Sequence, residues 1–213
     1  MSEEKYLSLI QEYKPRVVVG FDEVGNGAIA GDLCVAACAL PTSFNLELKD
    51  SKKYTEKARQ KAYDTVLSAA IAKKTLCFSA LTVTTLGHKR ALDTLFFNAL
   101  YYMYAIFKEE ALYILDGTSK VPNVEFEHTC LAKADTYVPA VSAASILAKC
   151  ERDQRMRETG YEEWQFATHK GYPTQAHLDM LKRNGPIKGV HRTNIETVKK
   201  ALTENGWYVR PND

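Results

Sequence analysis

One segment restricts the fold more than any other: a β-branched run from Arg16 to Glu23 (RVVVGFDE) that ends in two adjacent carboxylates. A second apolar run of strand length, Leu33 to Leu40 (LCVAACAL), follows after a short connection that contains glycines from Gly25 to Gly31. Two apolar runs separated by a short glycine-containing connection predict a β-hairpin. The first strand would be buried and would present its acidic end at one edge of a sheet.

The rest of the chain alternates between helical and extended patterns. Helices are predicted from about residue 55 to 73, 88 to 107 and 139 to 158, and strands at 76–83, 111–115 and 124–129. This alternation is typical of an α/β fold. The sequence contains no internal repeat and no linker rich in proline or glycine, so we expect one domain over residues 1–213. Its core would cover about 16–160, and a helical C-terminal part about 161–213.

Composition limits the kind of protein. The 28 basic and 26 acidic residues give a formal net charge of +2, which argues against a protein that coats nucleic acid through bulk charge. No apolar stretch approaches the roughly 20 residues of a membrane span, and the N-terminus lacks the apolar centre of a signal peptide. We therefore expect a cytoplasmic protein without a membrane partner. Cys34 and Cys38 are expected to be buried free thiols.

Three acidic positions share one context. Asp22 and Glu23 close the first strand, Asp116 closes a later strand before a glycine, and Asp135 precedes a helix rich in small residues. Carboxylates at strand ends converge where α/β proteins bind ligands, and hard oxygen donors favour Mg²⁺ or Mn²⁺ over zinc. Successive strand residues point to opposite faces, so Asp22 and Glu23 can share a site only if the strand twists or ends there. Spacing alone does not separate a metal site from ordinary surface carboxylates.

Several motifs in a fixed order separate these alternatives. The sequence GFDEVGNGAIAG resembles the first signature of the ribonuclease HII family. The family's later motifs follow in its order: DSKK at 50–53, ILDG at 114–117, KADTYVPAVSAASILAKCERD at 133–153, GYPT with His177, and HR at 191–192. The resemblance covers roughly residues 17 to 195. It implies an RNase H-like mixed sheet flanked by helices, with a helical C-terminal extension.

The resemblance also implies an activity: endonucleolytic cleavage of the RNA strand of RNA/DNA hybrids, including ribonucleotides embedded in duplex DNA, with 5′-phosphate and 3′-hydroxyl ends. Asp22, Glu23, Asp116 and Asp135 match the family's metal-binding catalytic carboxylates. Two divalent ions, Mg²⁺ or Mn²⁺, are implied with them, of which one activates water and the other stabilises the leaving oxygen.

Substrate contacts follow from the same resemblance. The backbone of Gly25, Asn26 and Gly27 is expected at the ribose 2′-hydroxyl, and Tyr172 matches the family's stacking tyrosine at the junction from RNA to DNA. The family usually has arginine at position 26; if recognition there runs through backbone groups, asparagine preserves specificity, whereas if the guanidinium contacts a phosphate, asparagine lowers the affinity. Lys52 and Lys149 are candidate phosphate contacts, while a second basic surface would comprise Lys170, Lys182, Arg183, Lys188 and Arg192.

Three other functions fit parts of the pattern. A ribonuclease HIII-like enzyme would cleave hybrids well and single embedded ribonucleotides poorly, but that family carries an N-terminal substrate-binding domain, and only about fifteen residues precede the first strand here. A protein that binds hybrids without cleaving them would not need all four carboxylates. A glycosidase with paired carboxylates would act without metal. We expect the HII activity, carried out by a monomer.

Overall fold

The computed structural model describes residues 2–44 and 54–204, and its strands form one five-stranded sheet. The strands are β1 (Val17–Val24), β2 (Leu33–Pro41), β3 (Ala72–Phe78), β4 (Ala111–Asp116) and β5 (Thr129–Leu131), in the spatial order β3-β2-β1-β4-β5. β1 pairs antiparallel with β2 and parallel with β4, and β4 pairs parallel with β5. The sheet is therefore mixed, as the predicted fold class requires.

Eight α-helices accompany the sheet in the described part of the chain. They are α1 (Ser2–Tyr13), α2 (Glu56–Ala69), α3 (Ala80–Leu86), α4 (His88–Phe107), α5 (Pro139–Arg157), α6 (Phe166–His169), α7 (Gln175–Asn184) and α8 (Glu196–Glu204). None of the helices in these ranges combines the length and the hydropathy that a bilayer-spanning segment needs. The α/β class predicted from the sequence is confirmed, and helices α6, α7 and α8 lie in the described C-terminal residues.

The described residues group into two compact units that interleave along the sequence. The first comprises 2–24, 34–44, 54–76 and 93–151, and the second comprises 25–33, 77–92 and 152–204. In the first unit, every residue of β2 from Cys34 to Leu40 is buried; Leu33, which belongs to the second unit, is buried as well. A strand without an exposed position is covered on both faces, as in sheets flanked by helices.

The second unit has its own hydrophobic core. Buried residues from the segment after β1, the end of α5 and the C-terminal helices form one cluster: Ile29, Ala30, Met156, Trp164, Phe166, Leu181, Val198, Ala201 and Leu202. This cluster joins the segment that follows β1 to residues near the C-terminus. The position of the glycine-containing segment thus depends on residues that are distant in the sequence.

Three local predictions are wrong. The strand predicted at 76–83 is β3, which ends at Phe78, followed by α3, because the Ser79 side chain accepts the Thr82 N–H and caps a helix there. The strand predicted at 124–129 is displaced to Thr129–Leu131. Cys34 is disulfide-bonded and not a free thiol, since the prediction weighed only its neighbour along the strand; Cys38 is free and buried.

Candidate active site

Two of the predicted carboxylates lie at or near the carboxyl ends of neighbouring parallel strands of the first unit. Phe21 on β1 is paired with Leu115 on β4, so the next residue on each strand, Asp22 and Asp116, comes at the same level of the sheet. Parallel pairing therefore brings together two acidic residues that are far apart in the sequence. The predicted convergence of strand-end carboxylates is present in the structure.

Asp22 is buried and lies close to other carboxylates. Only 7% of its surface is exposed, and its carboxylate is hydrogen-bonded to the Ser145 side chain. Burial raises the pKa of Asp22 well above its usual range; the negative charge of Glu23 raises it further, and Asp116 and Asp135 add to the effect. The other three predicted carboxylates thus act electrostatically on Asp22.

Asp116 is oriented by the chain that carries Asp135. One carboxylate oxygen of Asp116, Oδ1, accepts the backbone N–H of Ala134 at 2.8 Å. Lys133, with a left-handed φ of 56°, precedes a single 3₁₀ turn from Ala134 to Thr136, in which Asp135 is buried. Asp135 therefore directly follows Ala134, the residue whose N–H holds the Asp116 carboxylate, within one turn.

Glu23 does not end its strand, which was one of the two ways in which Asp22 and Glu23 were expected to share a site. β1 continues through Val24, so the strand does not end at Glu23. The backbone N–H of Glu23 donates to Oδ1 of Asp22 at 2.8 Å, which turns the Asp22 side chain along the strand. Glu23 itself is half-buried, and its charge is the strongest of the carboxylate contributions to the pKa of Asp22. The adjacent pair is therefore close enough to interact although the strand continues.

The donor set fits divalent cations of the Mg²⁺ class. It consists of four carboxylates, two of them buried, and their mutual repulsion raises the pKa of Asp22. Hard oxygen donors are what Mg²⁺ and Mn²⁺ prefer, and a bound cation would offset the negative charge gathered here.

In the second unit, Arg192 holds the glycine-containing segment by its backbone. Its Nη1 donates to the carbonyl of Gly25 at 2.7 Å and its Nε to the carbonyl of Gly31 at 3.0 Å. The guanidinium is fully buried, and burial, with the nearby charge of Arg152, lowers the pKa of Arg192 to about 10. Arg192 was predicted to belong to a second basic surface; that prediction is wrong, because its donors are turned inward to carbonyls.

Arg152 on α5 holds the same segment at its C-terminal end, through the residues on either side of Gly31. Its Nε donates to the carbonyl of Asp32 at 2.8 Å and its Nη2 to that of Ala30 at 3.2 Å. Gly25 packs so closely on this guanidinium that a Cβ at position 25 would lie 2.5 Å from Nε. Gly25 also has a φ of +89°, which L-residues with side chains rarely adopt. Both observations explain why glycine occupies this position.

Tyr172 is positioned by histidines of the GYPT and HR motifs. The Ile187 N–H donates to Nδ1 of His191, so neutral His191 carries its proton on Nε2 and donates to Nε2 of His177 at 3.0 Å. His177 in turn donates from Nδ1 to the Tyr172 carbonyl at 2.9 Å. Burial lowers the pKa of His177 to about 4 and that of His191 to about 3. His169 stacks on His177 with ring centroids 4.1 Å apart, so these histidines are structural residues.

The remaining predicted contacts are distributed over both units. Lys149 is half-buried on α5 in the first unit. Asn26 and Gly27 are exposed in the second unit, and Oδ1 of Asn26 lies 2.6 Å from Nε2 of His88, which hydrogen-bonds it. Lys52, together with the whole DSKK motif, lies outside the described residues.

Four residues that shape these sites were not predicted from the sequence: Ser145, His88, Arg152 and, as a buried residue, Arg192. Ser145 and Arg152 fall inside the motif at 133–153, and Arg192 inside the HR motif. Their positions inside these motifs could have marked these three residues as candidates for a role in the site. The residue types alone could not show that Arg152 and Arg192 turn their donors to backbone carbonyls.

Comparison with known proteins gives the family. The family model described as Ribonuclease HII matches residues 19–92 and 106–198. Ribonuclease HII of Hydrogenovibrio crunogenus is 37% identical over 195 residues, which cover 87% of this chain and 88% of the relative.

Two solved structures share the fold. Ribonuclease H2 from Pyrococcus horikoshii OT3 matches with a TM-score of 0.67 at 22% identity, over 90% of this chain and 100% of that one. Bst-RNase HIII in complex with Mn²⁺ matches with a TM-score of 0.66 at 18% identity, over 89% of this chain and 70% of that one. The family match, the identity to curated relatives and the shared fold agree: this chain belongs to the ribonuclease HII family and is a ribonuclease H enzyme.

Proposed function

We propose that the chain cleaves the RNA strand of RNA/DNA hybrids and also cuts at ribonucleotides embedded in duplex DNA, leaving 5′-phosphate and 3′-hydroxyl ends. The observation that carries this proposal is the pairing of β1 with β4, which sets Asp22 beside Asp116. The electrostatic effect of Glu23, Asp116 and Asp135 on Asp22 supports one shared site.

Asp22, Glu23, Asp116 and Asp135 would hold two divalent ions, Mg²⁺ or Mn²⁺. When bound, such ions supply activation of the attacking water and stabilisation of the leaving 3′-oxygen. The protein contributes the orientation of the ligands: Ser145 holds the Asp22 carboxylate, and the Ala134 N–H holds that of Asp116. Ligands fixed in this way lose little freedom when cations bind.

Residues of the second unit would read the substrate. Main-chain groups of Gly25, Asn26 and Gly27 would approach the ribose 2′-hydroxyl, the group that distinguishes RNA from DNA at one position. Tyr172 would stack at the nucleotide after the ribonucleotide. Lys149 and Lys52 would contact phosphates, which positions a duplex without reading its sequence. A monomeric state and a cytoplasmic location, both expected from the sequence, remain predictions.

The test is cleavage of a duplex that carries one ribonucleotide, with the cut mapped in Mg²⁺ and in Mn²⁺. We expect a cut on the 5′ side of the ribonucleotide that EDTA abolishes. The Asp22→Asn variant should lose this cleavage, because a carboxamide has no negative charge to offer a cation, while binding to an RNA/DNA hybrid stays measurable.

A matched control is Asp64→Asn, which removes a carboxylate from an exposed position on α2 and should leave turnover unchanged. Retained turnover in Asp22→Asn would contradict the assignment of the site. Robust hybrid cleavage with negligible cutting at a single ribonucleotide would instead favour the HIII-like activity, and cleavage that resists EDTA would favour a reaction without metal.

A further inference from the structure

Arg152 contacts two stretches of the second unit at once. Besides its bonds to the carbonyls of Ala30 and Asp32, its Nη1 donates to the carbonyl of Lys170 at 2.9 Å. One guanidinium therefore ties the segment after β1 to the chain that leads into Tyr172. The two stretches are also joined directly, since the N–H groups of Ile29 and Ala30 both donate to the carbonyl of Gly171.

The same guanidinium lies against the Tyr172 ring. The Arg152 carbon Cζ is 5.3 Å from the ring centroid, within the range of a cation–π interaction. The Tyr172 backbone is held separately, because its carbonyl accepts both the Thr174 N–H and the His177 ring. Ring and backbone of Tyr172 are thus fixed by different groups, and the contact to the ring comes from the residue that also holds the glycine-containing segment.

The chemistry of the side chain fits this position. Arg152 is fully buried, and its three donor nitrogens point to three carbonyls in different directions. A planar guanidinium can make such a set of bonds, whereas a lysine ammonium at the end of a flexible chain cannot reach all three. The geometry is therefore specific to arginine and not only to positive charge.

We propose that Arg152 is a positioning residue for substrate recognition: it fixes the Tyr172 ring relative to the segment from Gly25 to Gly27. The inference rests on the proposed function, in which these two elements read the RNA-to-DNA junction. Arg152 itself touches no substrate. It determines whether the two reading elements can engage one ribonucleotide at the same time.

The experiment compares wild type with Arg152→Lys, Tyr172→Ala and the double variant, each as the full chain. Values of kcat and KM are measured for a duplex with one ribonucleotide and for an RNA/DNA hybrid. We expect Arg152→Lys to raise KM for the single-ribonucleotide duplex by about tenfold, with a smaller change in kcat, because the reading elements are misplaced and the metal ligands are not. The hybrid, which offers many ribonucleotides, should be affected less.

The double variant separates positioning from general destabilisation. If Arg152 acts partly through the Tyr172 ring, Arg152→Lys should change the single-ribonucleotide KM by a clearly smaller factor in the Tyr172→Ala background. The matched control is Arg155→Lys on the same helix. Arg155 contacts the same residue, Asp32, but through an exposed pair between Nη1 and the carboxylate at 3.2 Å. Its substitution should therefore leave kcat and KM for both substrates unchanged.

Each adverse outcome has a defined meaning. If Arg152→Lys changed KM by the same factor in the wild-type and Tyr172→Ala backgrounds, the inference would be overturned and the proposed function would stand. The same holds if the ratio of KM values for the two substrates were unchanged. Wild-type protein that cleaves neither substrate with Mg²⁺ or Mn²⁺ would refute the proposed function itself. If neither Arg152→Lys nor Arg152→Gln gives a folded protein by circular dichroism, Arg152 determines the fold, and the positioning proposal is wrong.

Discussion

Gly20, in the middle of β1, allows the first turn of α5 to lie directly on the sheet. A Cβ at this position would approach the backbone of Ala140 and Val141 closer than the 3.0 Å that Cβ atoms keep in real proteins. Asp22 follows two residues later on the same face of the strand, and Ser145 of α5 holds its carboxylate. The substitution Gly20→Ala therefore probes the packing on which the candidate active site is built.

The cost can be estimated from these contacts. The clash involves backbone atoms, so no side-chain rotation relieves it, and α5 must move away by roughly 1 Å to restore ordinary contact. Overpacking of a core costs about 1–3 kcal/mol, and weakening the bond between Ser145 and Asp22 adds about 1.5 kcal/mol. The smaller entropy of unfolded alanine offsets about 0.5–1 kcal/mol. A net loss of about 3 kcal/mol should lower the melting temperature by about 6–12 °C.

Thermal unfolding followed by circular dichroism, with urea unfolding as a second measurement, tests this estimate. The matched control is Gly27→Ala, because a Cβ at position 27 meets no atom within 4 Å and should change the free energy of unfolding by less than about 0.5 kcal/mol. A melting temperature of Gly20→Ala within 2 °C of wild type, roughly the shift expected from under 1 kcal/mol, would refute the packing argument.

Three further predictions concern other parts of the chain. His177 and His191 are neutral in the folded protein, with pKa values lowered to about 4 and about 3. The free energy of unfolding should therefore fall as the pH drops below about 6.5, by up to about 1.4 kcal/mol per pH unit for each histidine. Urea unfolding at several pH values should show a weaker dependence of the free energy of unfolding on pH for His191→Gln. Asn26→Arg should tighten duplex binding and steepen its salt dependence by about one phosphate contact in an anisotropy titration, and an unchanged slope would count against phosphate contact there. Thr55→Ala removes the side-chain cap of α2 and should cost about 1 kcal/mol in urea unfolding.

Local patterns predicted much of the fold. The apolar spacing between residues 88 and 107 matches α4 at both ends, and Thr174 caps α7 as expected, because these features depend on neighbours in the sequence. The hairpin of β1 and β2 follows from its two apolar runs. The pattern failed at residues 79–83, where Thr82 and Val83 favour a strand but Ser79 caps a helix. There a single side-chain hydrogen bond outweighs β-propensity.

The candidate site divides in the same way. The positions of Asp22 near the end of β1 and of Asp116 at the end of β4 could be predicted, since strand ends are local features. The positions of the buried arginines could not, because Arg152 and Arg192 bond to carbonyls 120 and 167 positions away in the sequence. A composition or a motif reports the charge of these residues but not the direction of their donors. Only the folded second unit defines that direction.

The bond between Arg192 and the Gly25 carbonyl also has a consequence for the time at which the protein matures. A ribosome releases Gly25 long before Arg192, since 167 positions separate them. Domains fold as their residues become available, and contacts between distant residues form late. The segment from Gly25 to Gly31 therefore leaves the ribosome without the arginine that later holds it. Under the proposed function, a nascent chain could not read a ribonucleotide until Arg192 had been synthesised.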